Sequence, residues 1–173
     1  WELGKHRLMC GDSTKESDVE KLMNGQKADM VFTDPPYNVD YDGGSKKREK
    51  IKNDKLNDFS QFLNSCFSNM HLFMKDGSCI YITHSEVERL SNTQDTVWLY
   101  DRPSKSKLHP TTKPIELINK AIKNSSKKNE IVLDVFLGSG STLIACEKTN
   151  RICYGMELDT KYCDVIIERW EQF

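Results

Sequence analysis

The chain contains no apolar run approaching the roughly 20 residues that a helix needs to cross a bilayer. Its mean hydropathy of −0.64 argues the same way and excludes an integral membrane protein of the helical class. The first residues, Trp1-Glu2-Leu3-Gly4-Lys5, lack the charged and then apolar pattern of a secretory signal. Six cysteines (Cys10, Cys66, Cys79, Cys146, Cys153, Cys163) include no CxxC pair and no histidine at metal-ligand spacing. That argues against the common zinc patterns, and because the cysteines fall mostly in apolar segments they read as buried free thiols. A cytoplasmic protein is the expectation. There is no internal repeat and no low-complexity linker, so 173 residues suffice for one α/β domain and are short for two.

Charge of one sign is also lacking, at 25 Lys+Arg against 26 Asp+Glu and a net −1. Its distribution is less even. Residues 42–55 carry +3 and residues 102–128 carry +7, which leaves −11 on the rest. Such asymmetry is the footprint of a polyanion bound to one face. On charge alone the plainer reading, solvated lysines on exposed helices and loops, is preferred.

What is present is an alternation of strand and helix signals. Strands are expected at His6–Cys10, Ala28–Thr33, Ser78–Thr83, Thr96–Tyr100, Glu130–Asp134 and Arg151–Met156. Helical spacing of apolar residues appears in Ser17–Asn24, with Gly25 as its stop, and in Asp58–Met74, with Gly77 just beyond. Further helices are expected after Pro114, over Ser141–Lys148, and from Asp159 to Trp170. Residues 38–57 are polar and Gly/Lys-rich and read as a loop. The alternation predicts a doubly wound, mainly parallel sheet, which binds ligands at the carboxyl ends of its strands.

Two such ends carry unusual chemistry. The strand Glu130–Asp134 runs into Val135-Phe136-Leu137-Gly138-Ser139-Gly140 and then a helix. Two glycines permit a tight turn and close backbone approach, and the helix N-terminus offers N–H groups to a polar ligand. Sixteen residues beyond Ser141, at the end of the next strand, Glu157 is placed to accept hydrogen bonds from a ribose diol. Leu143 occupies the position of the third glycine of the dinucleotide fingerprint. A nucleoside cofactor is favoured over a purely structural turn, but this unit alone does not separate NAD from S-adenosylmethionine.

The other end is Asp34-Pro35-Pro36-Tyr37, directly after Ala28–Thr33. Two prolines fix φ and remove two donors, leaving rigid carbonyl acceptors beside a carboxylate, with a ring next in line to stack on a planar base. That set suits an exocyclic amine. Two acceptors on its N–H groups favour a tetrahedral nitrogen and stabilise the positive charge that develops as it attacks an electrophile. An ordinary loop opened by Asp-Pro is the alternative.

Together, DPPY followed by FLGSGS resembles the DNA amino-methyltransferases that use S-adenosylmethionine. The order, catalytic segment first and glycine-rich segment second, is similar to the β-class, a permutation of the Rossmann-like methyltransferase core. The resemblance covers nearly the whole chain. Gly11-Asp12 looks like the segment whose Asp contacts the cofactor adenine. His109-Pro-Thr-Thr-Lys113-Pro114 is similar to the HPTQKP segment near the methionyl end, and the closing RICYGMELD with Tyr162 and Arg169-Trp170 is also like the family. Val135 stands where a proline is usual, and Ser141 replaces a frequent threonine while keeping a helix-capping hydroxyl.

The resemblance implies an adenine-N6 enzyme, since Asp heads the motif where cytosine-N4 enzymes more often carry Ser. It implies double-stranded DNA as substrate, with the target base flipped out of the stack. Tyr37 would stack on that base, and Asp34 and the Pro35 carbonyl, stiffened by Pro36, would accept from N6. Asp12, Lys113, Asp134, Phe136, Gly138, Ser139, Gly140 and Glu157 would hold the cofactor. No metal is implied, and a homodimer is an open expectation. Lys46, Lys47, Arg48 and Lys50 follow the catalytic loop, so contact with DNA phosphates becomes the preferred reading there. Other substrates (cytosine N4, an RNA base, a protein amide) and a catalytically silent DNA- or cofactor-binding subunit remain as alternatives.

Only 11 residues, Ser85 to Asp95, separate His84, which looks like the end of the family's fifth strand, from Thr96–Tyr100. Family members hold a further strand and a target-recognition region there. The expectation is one catalytic domain over 1–173, with the target-recognition region missing near 85–95. Residues are expected to be omitted near 86–94 and within 41–50.

Overall fold

The structure, a computed structural model, describes residues 1–36, 58–82 and 115–173. The expected strand over 96–100, the loop over 38–57, His84, the region near 85–95 and the segment 109–114 lie outside the described residues, as do Tyr37, Lys46, Lys47, Arg48, Lys50 and Lys113.

Eleven elements follow in order: β1 (Glu2–Leu3), β2 (His6–Cys10), α1 (Glu16–Met23), β3 (Ala28–Thr33), α2 (Phe59–Leu72), β4 (Met74–Ile82), α3 (Ile115–Ser125), β5 (Ile131–Asp134), α4 (Ser141–Thr149), β6 (Ile152–Glu157) and α5 (Thr160–Glu171). The six strands form one sheet in the order β1-β2-β6-β5-β3-β4. Only the β1–β2 pair is antiparallel. This is the doubly wound, mainly parallel sheet that the alternation predicts.

Side chains alternate across the strands and so sort the core into two layers. Met30, Phe32 and Val132 face Ile118, Ile122, Leu143 and Ile166, from α3, α4 and α5. Val31 and Leu133 face Val19, Leu22, Met23, Cys66 and Met70, from α1 and α2. Among the described residues no helix is long and apolar enough to cross a membrane.

Most boundaries lie within one residue of expectation, and the differences that carry a physical reason are at the ends of α1 and α2 and the start of β4. Helix α1 stops one residue earlier than Gly25, at Asn24, which itself takes the left-handed conformation with φ 48°. Helix α2 ends at Leu72 instead of Met74, and β4 begins at Met74 instead of Ser78 because Ala28 pairs with Met74 and its N–H donates to the Phe73 carbonyl at 2.8 Å. The two-residue β1 has too little pattern to be foreseen. Cys66, Cys146, Cys153 and Cys163 are buried as expected, but Cys10 is half-buried and Cys79, on β4, the outermost of the described strands, is exposed.

Candidate functional site

The chain leaves β3 toward β4 and leaves β5 toward β6, in opposite directions across the sheet, while β3 and β5 are neighbours. Their carboxyl ends therefore open a crevice at the switch point of the sheet. Asp34-Pro35-Pro36 emerges from one side and the glycine turn from the other. Pro35 is buried, and Asp34 and Pro36 are half-buried.

A side-chain bond ties the two ends together: the Thr33 hydroxyl donates to Oδ1 of Asp134 at 3.0 Å. Asp134 is only 3% exposed, and its carboxylate also accepts from the Thr142 hydroxyl at 2.6 Å and from the Phe136 N–H at 3.1 Å. Burial pushes its carboxyl up to about 7, against the pull of those three donors and with a smaller push from the Asp34 charge. The structure thus places Asp134 underneath the turn.

Gly138 and Gly140 both take positive φ, at 56° and 82°. A Cβ on Gly140 would lie 3.1 Å from Cγ1 of Ile166, so both conformation and space select glycine there. Glu157 clasps the turn from β6. Its Oε2 accepts the Gly138 N–H at 2.8 Å and its Oε1 accepts the Asp159 N–H at 2.9 Å, while its backbone carbonyl accepts the Gly11 N–H at 3.0 Å. Burial raises its pKa above the usual carboxylate range, partly offset by those amides. Asp12 lies two residues beyond the end of β2, where Cys10 pairs with Glu157, and its Oδ1 closes a turn by accepting from the Thr14 N–H at 3.0 Å and the Thr14 hydroxyl at 2.7 Å. Phe136 tilts against Phe62 with ring centres 5.9 Å apart. Ser139 is buried, with Arg169 donating to both its carbonyl and its hydroxyl.

One expectation is corrected. Ser141 does not cap α4: the N-cap is Gly140, without a side-chain cap bond, and the Ser141 Oγ is buried with no partner among the described residues. The backbone enters the helix through a left-handed glycine, which puts Ser141 inside the first turn, where its hydroxyl cannot reach back to the end. An uncapped helix N-terminus, an orphaned hydroxyl and two carboxylates on adjacent strand ends fit a nucleoside ligand with polar groups at both ends.

Sequence reasoning missed Thr33, Thr142, Gly155 and Arg169 as contributors. Gly155 is needed because a Cβ there would overlap Cδ2 of Leu137, the residue that opens the turn. A signal for Thr33 existed: it is the polar last residue of an otherwise mostly apolar strand.

A crevice at the switch point, a glycine turn on a helix N-terminus and an acid ending the following strand define a Rossmann-like nucleoside-binding core. The chain belongs to the DNA methylase family of N6 and N4 amino-methyltransferases, whose family model matches residues 28–92 and 84–168. Among curated relatives, it is 43% identical over 63 residues to the Type II methyltransferase M.HinfI of Haemophilus influenzae, covering 36% of this chain and 18% of that protein. It is 28% identical over 109 residues to M.BglI of Bacillus subtilis, covering 62% and 31%. The chain spans about a third or less of the length of these relatives. The fold is shared with M1.HpyAVI, solved as a complex with SAM (TM-score 0.63, 19% identity, 94% of this chain and 98% of that chain), and with TTHA0409 of Thermus thermophilus (TM-score 0.61, 18% identity, 96% and 94%). What the chain shares with them is the fold, a Rossmann-like sheet in which the proline loop after β3 precedes the glycine turn after β5.

Proposed function

We propose that this chain is the catalytic core of an S-adenosylmethionine-dependent DNA methyltransferase that acts on the N6 amine of adenine. The observation that carries the reading is the adjacency of the amine-accepting loop after β3 and the glycine turn after β5, joined by the Thr33–Asp134 bond. When bound, S-adenosylmethionine supplies a methyl group activated by its sulfonium. Glu157 and Asp12 present carboxylates toward hydroxyl and base donors, and Gly138–Gly140, Ser139, Phe136 and the α4 N-terminus form the bed between them. Lys113 lies in the segment assigned to the methionyl end.

At the other loop, Asp34 and the Pro35 carbonyl accept the two N–H groups of a flipped base amine, and Pro36 holds that carbonyl in place. Each charge-assisted bond is worth roughly 1.5–3 kcal/mol, and its strength grows as positive charge builds on the nitrogen. Tyr37 stacks on the base. Lys46, Lys47, Arg48 and Lys50 contact phosphates of double-stranded DNA, adding affinity without sequence choice. Asp at position 34 favours adenine over cytosine.

The test is incubation with methyl-labelled S-adenosylmethionine and separate DNA and RNA substrates, followed by nucleoside analysis. Label in adenine N6 of DNA is the expected result. Label in cytosine N4 or in RNA overturns the substrate assignment, and cofactor binding without transfer to any nucleic acid supports the silent-subunit alternative.

A further inference from the structure

The glycine turn has a support that lies outside both motifs. Ser139 sits between two left-handed glycines, so its local backbone has a wide conformational range and little intrinsic reason to hold one shape. Restraint must come from neighbouring elements: Glu157 of β6 holds the Gly138 N–H, and α5 holds Ser139 and Gly140. Ile166 and Arg169, three residues apart, share a face of α5. Ile166 closes on Gly140, and one guanidinium nitrogen of Arg169 donates to both the carbonyl and the hydroxyl of Ser139, the latter at 3.2 Å. Trp170 packs on Gly4, where a Cβ would lie 3.1 Å from Cζ2, which anchors the end of α5 against the β1–β2 turn.

Arg169 is half-buried, and among the described residues no carboxylate lies within ion-pair distance of it. Burial lowers its pKa from the usual arginine value. A guanidinium in that setting is directed at the acceptors it does have, which are the two oxygens of Ser139. The carbonyl it holds shares a peptide with the N–H of Gly140, the α4 N-cap, which donates to the Leu137 carbonyl at 2.9 Å, so its orientation is tied to the closure of the turn.

We propose that Arg169 is a positioning residue of the cofactor turn: from α5 it clamps Ser139 and, with Glu157, keeps Gly138–Gly140 in the shape that receives the nucleoside cofactor. This rests on the cofactor reading above. Arg169 touches the turn and not the ligand, so its loss acts on affinity and loop order before it acts on chemistry.

The test uses the full chain with Arg169→Met, which keeps the aliphatic stem, and Arg169→Lys, which keeps one charged donor. Hydrogen exchange of amides 137–142 is measured without cofactor, and S-adenosylmethionine affinity by calorimetry. For Arg169→Met, turn amides are expected to exchange about 10-fold faster and the cofactor Kd to weaken by a similar factor, while β5 and β6 amides keep their protection; Arg169→Lys falls between. Unchanged turn exchange, or equal loss of protection across β5 and β6, overturns the clamp. Should Arg169→Met not fold, Arg169→Lys and Ser139→Ala carry the test: each is expected to speed turn exchange about 3-fold, and no change in either overturns the proposal. Failure of the wild-type chain to bind S-adenosylmethionine overturns the cofactor reading alone, because the exchange result is read without it.

Discussion

The Thr33 hydroxyl reaches Asp134 across 3.0 Å, joining the last residue of β3 to the last residue of β5. One position further along each strand the chain leaves the sheet, into the proline loop on one side and the glycine turn on the other. Together with the β3–β5 pairing, the bond holds the proline loop and the glycine turn at a set distance from each other.

Thr33→Val keeps the shape and removes the donor, leaving Asp134 with Thr142 and the Phe136 amide. The expected loss is about 1–2 kcal/mol of stability in urea unfolding. Cofactor affinity and transfer rate are expected to fall together. A variant that weakened only one of them would show that the two loops are independent.

Asp134 also makes stability depend on pH. Its folded pKa of about 7 lies above the ordinary 3.8, so the folded state holds its proton more tightly than the unfolded chain does. Its contribution is fully present below pH ~4, declines as pH rises, and is lost above pH ~7, a difference on the order of 4 kcal/mol. Asp134→Asn stays uncharged throughout. Urea unfolding from pH 4 to 8 is expected to show wild-type stability falling relative to this variant across that window, and parallel curves count against the assignment.

Gly155→Ala drives a methyl into Leu137 Cδ2, well inside van der Waals contact, so the turn must shift. A loss of about 1–3 kcal/mol is expected, typical of overpacking. Combining it with Leu137→Ala is expected to cost less than the sum of the single changes, because the clash disappears with the leucine. Additive melting shifts would place the strain elsewhere.

Asp34→Ala removes an acceptor from the amine and leaves the cofactor turn in place. Transfer is expected to drop by roughly 10²–10³-fold, with the S-adenosylmethionine Kd within about 2-fold of wild type. Single-turnover kinetics and calorimetry separate the two. Equal loss of both would mean that Asp34 serves cofactor binding.

Replacing Lys46, Lys47, Arg48 and Lys50 by glutamine is expected to weaken DNA binding alike on all sequences. The slope of log affinity against log salt should fall by about 0.9 for each phosphate that is no longer neutralised. An unchanged slope returns these residues to the solvated-loop reading.

Much of the frame was legible because its signals are local. Apolar residues at period two and period 3.6 marked the strands and most helices, and glycines or prolines marked their ends. The helical spacing of α2 ran on through Phe73 and Met74, so the start of β4 was hidden until strand pairing decided it. Both ligand loops were legible because the residue types themselves are restrictive: prolines beside an acid, and glycines before a helix.

By itself, the sequence determined the parallel α/β architecture, the two loops and their order, since backbone propensity and apolar periodicity are carried within each segment. Tertiary structure alone decided what lies beneath those loops. Asp134 became a buried clasp because Thr33 and Thr142 come to it from separate elements, 101 and 8 residues away in the chain. Ser141 lost its cap because a left-handed glycine leads into α4, and Arg169 found Ser139 because α5 packs back on the turn. Apart from the turn at Gly140, these are contacts between separate elements, and no local pattern encodes which partner a side chain meets once the sheet has closed.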